Sequence, residues 1–293
     1  MQSVVSPSQS AFIASKNILD SVLIANEMLD SMKSRRCQGF LLKLDFRKAF
    51  DTVSWSYLND VIGYMKFSAR WRKWIMACVS TARLSVLING SPTSEFTTSC
   101  GLRQGDPLSP FLFCLAAEGI SVFISRSLKM GALYDMDSAG IKDIHHLQFA
   151  DDTLLFLPND LQCLLNAKRM LQWFNLCSGL NVNFHKSSLV GVNVDEIYAE
   201  GISGVLRCKC DTLPIKHLGL PLGANPNRIS TWKPVLSQIR GWLNSWKGQL
   251  LSMAERAILI KSVIFTIRLY YMSIFCIPKT VAHKITTMQS RFL

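Results

Sequence analysis

Apolar positions return along this chain in two periods. Over residues 10–32 they recur every three or four places, with Ile18, Val22, Ala25 and Leu29 on one face, which predicts an amphipathic helix. Residues 40–45 form a short apolar run that ends on an acid, Asp45, and reads as a strand. Ser54 then suits the N-cap of a short helix. Residues 69–82 return to the helical period, with Trp71, Trp74, Ile75 and Cys78 as the apolar stripe and both tryptophans expected in the core. Residues 83–89 alternate, and Asn89-Gly90 marks a tight turn into a partner strand at 94–98.

The loop at 101–110 leads into a largely apolar helix at 111–130. Gly105 permits close backbone approach, and Pro107 suits a first helical turn. A polar connection at 131–143 follows. Then two apolar runs flank Asp151 and Asp152, and the segment 145–156 reads as a β-hairpin with the acid pair at its turn. Carboxylates so close repel unless they share a cation or a proton. Helices are expected at 161–177 and 195–206. At 215–223, Pro221 and two glycines favour tight turns and an edge position, with His217 on the surface. Residues 228–293 are helix-rich.

Composition narrows the class. A chain of 293 residues with 49% hydrophobic content can bury a substantial core and is not disordered. Charges interrupt the longest apolar stretches, Glu118 in 107–125 and Lys261 and Arg268 in 257–278, so no membrane-spanning segment and no membrane partner are expected. The first residues lack the pattern of a signal peptide, which leads us to expect an intracellular protein, in the nucleus or the cytoplasm. Nine cysteines lie without zinc spacing, the nearest pair being Cys208 and Cys210, and are expected as reduced thiols. Of the net charge of +12, residues 207–293 carry +11, a basic and apolar stretch suited to facing phosphates.

Asp45, Asp151 and Asp152 stand at two strand ends and make a candidate two-metal site. In order, LKLDFRKAFDTVSW, GLRQGDPLSPFLF and LQFADDTLLF resemble the reverse transcriptase of non-LTR (LINE-type) retrotransposons, especially the plant branch. The resemblance runs from Gln9-Ser-Ala-Phe-Ile13 to Phe275-Cys-Ile-Pro278. It implies an α+β right-hand polymerase: a palm with a ferredoxin-like antiparallel sheet and packed helices, partial fingers and a helical thumb. Partial fingers would occupy 1–39 and 66–106, the palm 40–65 and 107–214, a primer-grip hairpin 215–227 and the thumb 228–293.

The same resemblance implies RNA-directed DNA synthesis on an RNA template and DNA primer from dNTPs. Two Mg²⁺ ions, replaceable by Mn²⁺, would be held by Asp45, Asp151 and Asp152 with the Phe46 carbonyl. Phe50 would be the aromatic gate against a 2′-hydroxyl, and Gln104 and Gly105 would contact the nascent pair. Lys186 would give a proton to pyrophosphate, and Leu218 and Gly219 would grip the primer. In the family, finger strands with an Arg-Pro-Ile segment lie upstream of the first residue here, so they are not expected in this chain. An endonuclease and C-terminal domains are expected in a full element. Ala14, Ser15 and Lys16 replace the usual Pro-Gly-Arg, Glu255 replaces a glycine and Arg268 a proline. These departures leave an alternative: a remnant that binds nucleic acid without polymerising.

Overall fold

The computed structural model describes residues 4–14, 16–134, 136, 144–246, 251–264 and 270–293. The expectations at Ser15 and Arg268, and most of the connection at 131–143, lie outside them. The chain forms two compact units, Met1–Thr212 and Leu213–Leu293.

In the first unit, α1 (Ile18–Ser34) starts later than its periodicity suggests. Asn17 ends the preceding segment: its side chain accepts the Leu19 N–H at 3.1 Å, while Asp20 accepts the Asn17 N–H at 2.9 Å. This reciprocal cap defines the helix start. Residues 10–14 are not helical, and Phe12 has a φ of 56°. The chain continues through β1 (Gly39–Leu44), β2 (Phe46–Arg47), α2 (Trp55–Tyr64, capped by Ser54) and α3 (Ala69–Ser80). In α3 only Ile75 is buried: Trp74 is 55% exposed beneath the Arg70 guanidinium, and Trp71 stacks half-buried on Phe67. Of the two expected core tryptophans, Trp71 packs against the core from its edge and Trp74 is peripheral, because α3 packs chiefly on α2.

Two small ribbons follow. Arg83–Leu84 (β3) and Phe96–Thr97 (β6) enclose Leu87–Ile88 (β4) and Ser91–Pro92 (β5), which meet across the expected Asn89-Gly90 turn. The single helix expected at 111–130 is divided at Glu118 into α4 (Ser109–Ala117) and α5 (Gly119–Lys129). The whole run Ser109–Lys129 is long and apolar enough to cross a membrane by length and composition, contrary to expectation. Here its apolarity serves packing, with Leu112 to Ala117 all buried in the core.

β7 (His146–Phe149), β8 (Asp152–Pro158), α6 (Leu161–Ser178), β9 (Asn181–Val182), β10 (Ser188–Val192), α7 (Glu196–Leu206) and β11 (Lys209–Asp211) complete the unit. The main sheet has the order β11-β10-β1-β8-β7, antiparallel except for the parallel pair β10–β11, which modifies the all-antiparallel expectation. β1 is the central strand, and Thr153 to Leu157 of β8 are all buried, as both-face coverage demands. Phe40, Leu42 and Leu44 join a core with Phe113, Leu171 and Phe174 from the helices. By alternation Leu41 points to the other face, and α1 packs against that sheet at β7 and β10.

Gly179 ends α6 at a φ of 78°. A Cβ there would collide with the Thr52 carbonyl, so the close approach that lets Ser54 N–H bond Ser178 at 2.8 Å requires glycine. All nine cysteines are free thiols, as expected.

The second unit contains β12 (Ile215–His217), β13 (Leu220–Leu222), α8 (Ile229–Ser245), α9 (Met253–Leu259), a π-helical turn at Ile260–Ile264 and α10 (Lys279–Phe292). Trp232 is wholly buried and donates its indole N–H to the Pro226 carbonyl at 2.9 Å. His217, expected on the surface, is 1% exposed. Strand alternation puts it on one face with Ile215, opposite the buried Leu220 and Leu222.

Candidate active site

β7 and β8 pair from His146 with Leu155 down to Phe149 with Asp152, leaving Ala150 and Asp151 as a two-residue turn. Ala150 has a φ of 54°. A positive φ at the first loop residue matches the twist of the flanking strands, a role usually taken by glycine. On the neighbouring strand Leu44 pairs with Thr153, so the next residue, Asp45, arrives beside Asp152 at the same end of the sheet.

Asp45 is fixed through its main chain. Its N–H donates to Ser187 Oγ at 3.1 Å, and its carbonyl accepts the Asn183 N–H at 2.7 Å. Ser187 is buried. The segment between β9 and β10 thus holds both peptide groups of Asp45. Sequence reading missed Ser187 and Asn183. Their signal is the short polar stretch between β9, which pairs with β2, and β10, which pairs with β1.

Asp152 senses both neighbouring acids. Burial pushes the Asp152 carboxyl above its ordinary value, Lys43 on β1 pulls it back, and the charges of Asp151 and Asp45 push it further up. Asp151 is exposed at the turn, while Asp45 and Asp152 are half-buried. Positions distant in sequence therefore meet at one sheet end. Among the described residues no three Asp, Glu, His or Cys side chains close around an ion by themselves. The donors are oxygens at an open edge, which fits Mg²⁺ or Mn²⁺. Such ions take one or two carboxylates and complete their shell with water and substrate phosphates.

Phe50 is half-buried and packs against the core. Its ring stacks on Phe113 with centroids 4.5 Å apart and planes at 20°, and its carbonyl accepts the Leu102 N–H at 2.7 Å. Phe46 is half-buried on β2, opposite Val182. Gln104 and Gly105 are exposed, and Gln104 lines a cleft of about 500 Å³ with Asp51, Leu84, Gly101 and Leu112. Gly105 sits at a φ of 93° in open space. Asp106 pairs with Arg103 at 2.6 Å and accepts the Leu108 N–H at 2.9 Å. That extra turn delays the helix, so Pro110, not Pro107, occupies its first turn.

Lys186 is exposed on the segment that anchors Asp45, its N–H bonded to the Asn183 carbonyl at 3.0 Å. Leu218 and Gly219 belong to the second unit. They form the β12–β13 turn at φ values of 48° and 82°, and Tyr270 Oη donates to the Leu218 carbonyl at 2.5 Å.

An open sheet backed by helices, with acids gathered where β1 meets the β7–β8 turn, defines the palm of a template-copying polymerase. A model of the family described as "Reverse transcriptase (RNA-dependent DNA polymerase)" matches residues 1–222, and the chain belongs to that family. Among curated proteins it is 28% identical over 269 residues to the Transposon TX1 uncharacterized 149 kDa protein of Xenopus laevis, covering 89% of this chain and 20% of that one. It is 25% identical over 273 residues to a Retrovirus-related Pol polyprotein from type-1 retrotransposable element R2 of Popillia japonica, covering 90% and 37%. The chain thus spans well under half of either relative. The solved telomerase of Candida albicans, in complex with a fragment of telomeric RNA, shares the fold at a TM-score of 0.52 and 13% identity, covering 97% of this chain and 48% of that one. The chain is a reverse transcriptase domain similar to non-LTR retrotransposon polyproteins, and its family uses divalent metal ions.

Proposed function

We propose that this domain extends a DNA primer on an RNA template, with Asp45, Asp151 and Asp152 as its reaction centre. The observation that carries the reading is the strand register that brings the end of β1 alongside the acid turn. Asp45 and Asp151 would hold two Mg²⁺ ions, assisted by Asp152 and the Phe46 carbonyl. When bound, such ions lower the pKa of the primer 3′-hydroxyl and screen the charge of the transferring phosphoryl group.

The chain's own residues do the positioning. Lys43 keeps the half-buried Asp152 closer to its ionised form. Phe50, braced on Phe113, stands against the sugar edge and excludes a 2′-hydroxyl. Gln104 and Gly105 meet the nascent pair, and the open space at Gly105 admits close approach of a base. Lys186, exposed beside the Asp45 anchor, supplies a proton to the leaving pyrophosphate. Leu218 and Gly219 hold the primer end, and the basic stretch from Arg207 onward faces the hybrid's phosphates.

Purified chain given a primed RNA template, dNTPs and Mg²⁺ is expected to extend the primer, and Asp151→Asn to abolish extension. Extension that survives in Asp151→Asn removes that residue from the mechanism. Salt-sensitive hybrid binding with no extension by the wild type would instead establish a binding remnant.

A further inference from the structure

Residues 10–14, expected to be helical, belong instead to a turn-rich strap that starts near Ser6 and runs beside the β7–β8 hairpin. Gln148 N–H donates to the Ser8 carbonyl at 2.9 Å and Ser10 N–H to the Gln148 carbonyl at 2.9 Å, a parallel bridge at the free edge of β7. Lys16 gathers the strap from behind, its Nζ donating to the carbonyls of Ser6, Pro7 and Gln9 at 3.1, 2.8 and 2.6 Å. The strap delivers the Gln9 side chain, wholly buried, to the turn that carries the acids.

There Gln9 Oε1 accepts two main-chain protons, from Ala11 at 2.9 Å and from Ala150 at 3.2 Å. Gln148, also wholly buried, donates Nε2 to the Ala150 carbonyl at 3.2 Å. Two amide side chains therefore grip Ala150, one at its N–H and one at its C=O. Ala150 is the left-handed residue immediately before Asp151. An L-residue in that region is disfavoured, and persists only where its surroundings over-determine it. The remaining Gln9 Nε2 and Gln148 Oε1 are buried without a hydrogen-bond partner among the described residues. Buried amides that leave a group unpaired are costly to keep, so the two bonds to Ala150 are the feature that accounts for them.

We propose that Gln9 is a positioning residue for the polymerase reaction, holding the Ala150 turn in its left-handed form and thereby aiming Asp151 and Asp152 at the metal edge. The inference rests on the polymerase reading for its consequence, though not for its geometry. Gln9 touches no reacting atom. Its effect passes through one peptide unit to the two carboxylates that follow.

Gln9→Met keeps the length and removes the acceptor, while Gln9→Glu retains a carbonyl-type acceptor. The measurements are Ala150 amide hydrogen exchange by NMR, Mn²⁺ binding by electron paramagnetic resonance, primer extension against Mg²⁺ concentration, and circular dichroism to confirm the fold. In Gln9→Met, Ala150 exchange is expected to accelerate at least about tenfold while Leu154 and Phe156 in β8 stay protected. Mn²⁺ affinity and the half-saturating Mg²⁺ concentration should both worsen by about tenfold, the scale for residues that orient ligands. Gln9→Glu should recover most of each loss.

A folded Gln9→Met with unchanged Ala150 exchange and unchanged Mn²⁺ affinity overturns the proposal, as does a Gln9→Glu no better than Gln9→Met. Should Gln9→Met fail to fold, Gln148→Met, which releases the other side of the same peptide, takes its place: faster Ala150 exchange with weaker Mn²⁺ binding supports the proposal, and no change in either overturns it. If the wild type neither binds Mn²⁺ nor extends a primer, the polymerase reading falls, and Ala150 exchange alone still decides whether Gln9 holds the turn.

Discussion

Replacing Phe50 by valine separates two roles that one ring can serve, a gate against ribonucleotides and a plank of the core. The side chain is half-buried and stacks on Phe113 at 4.5 Å. Valine removes roughly four carbons, about half of them out of water, or on the order of 1.5 kcal/mol at about 0.8 per methylene. Loss of the aromatic pair adds about 1 kcal/mol. Urea denaturation should therefore report a loss of roughly 2.5 kcal/mol. Phe113→Leu breaks the same stack from the fully buried side, 1% exposed, and should cost about 3 kcal/mol. The variants diverge in selectivity. Single-nucleotide insertion with matched rNTP and dNTP should show Phe50→Val accepting the ribonucleotide at least about tenfold more readily, the scale of one removed steric contact. Phe113→Leu should leave the ratio nearly unchanged. If Phe50→Val loses stability while its sugar preference stays at the wild-type value, Phe50 is a core aromatic and the gate lies elsewhere.

Asp152→Asn should stabilise the metal-free chain at neutral pH. The folded-state pKa of Asp152 lies above its unfolded value because burial and two neighbouring acids disfavour its charge. The folded chain therefore holds that proton more tightly, and the stability it contributes in acid is lost as pH rises through the raised value. Melting in EDTA should show the variant gaining on the wild type with rising pH and matching it in acid, and a gap independent of pH contradicts the assignment. At the α6 terminus, Gly179→Ala meets the Thr52 carbonyl at a φ of 78° and should cost about 2 kcal/mol or more. Gly105→Ala, at 93° in open space, should cost only about 1 kcal/mol. Equal losses by urea titration would mean that packing at Gly179 adds nothing to its backbone demand.

Much of the site was legible from local pattern. The apolar runs around Asp151 and Asp152 and the run ending at Asp45 became β7, β8 and β1, because a strand's side-chain period is written in its own residues. Ser54 caps its helix for the same local reason, and the ordered motifs pointed to the family. Other expectations failed where a segment's partner matters more than its period. Residues 10–14 were expected to open the helix, yet the edge of β7 takes up their neighbouring backbone. Trp74 lies on a helix that packs chiefly on α2, and His217 follows its strand partner inward.

The chain's own residues determined which segments are strands, which turn bears the acids and what chemistry those acids can support. Tertiary structure alone decided that Ser187 holds the Asp45 N–H across 142 positions and that Gln9 holds Ala150 across 141. Periodicity records the face a segment must bury. The register between distant strands, set by simultaneous packing of both sheet faces, chooses what meets that face, and no local window contains that information.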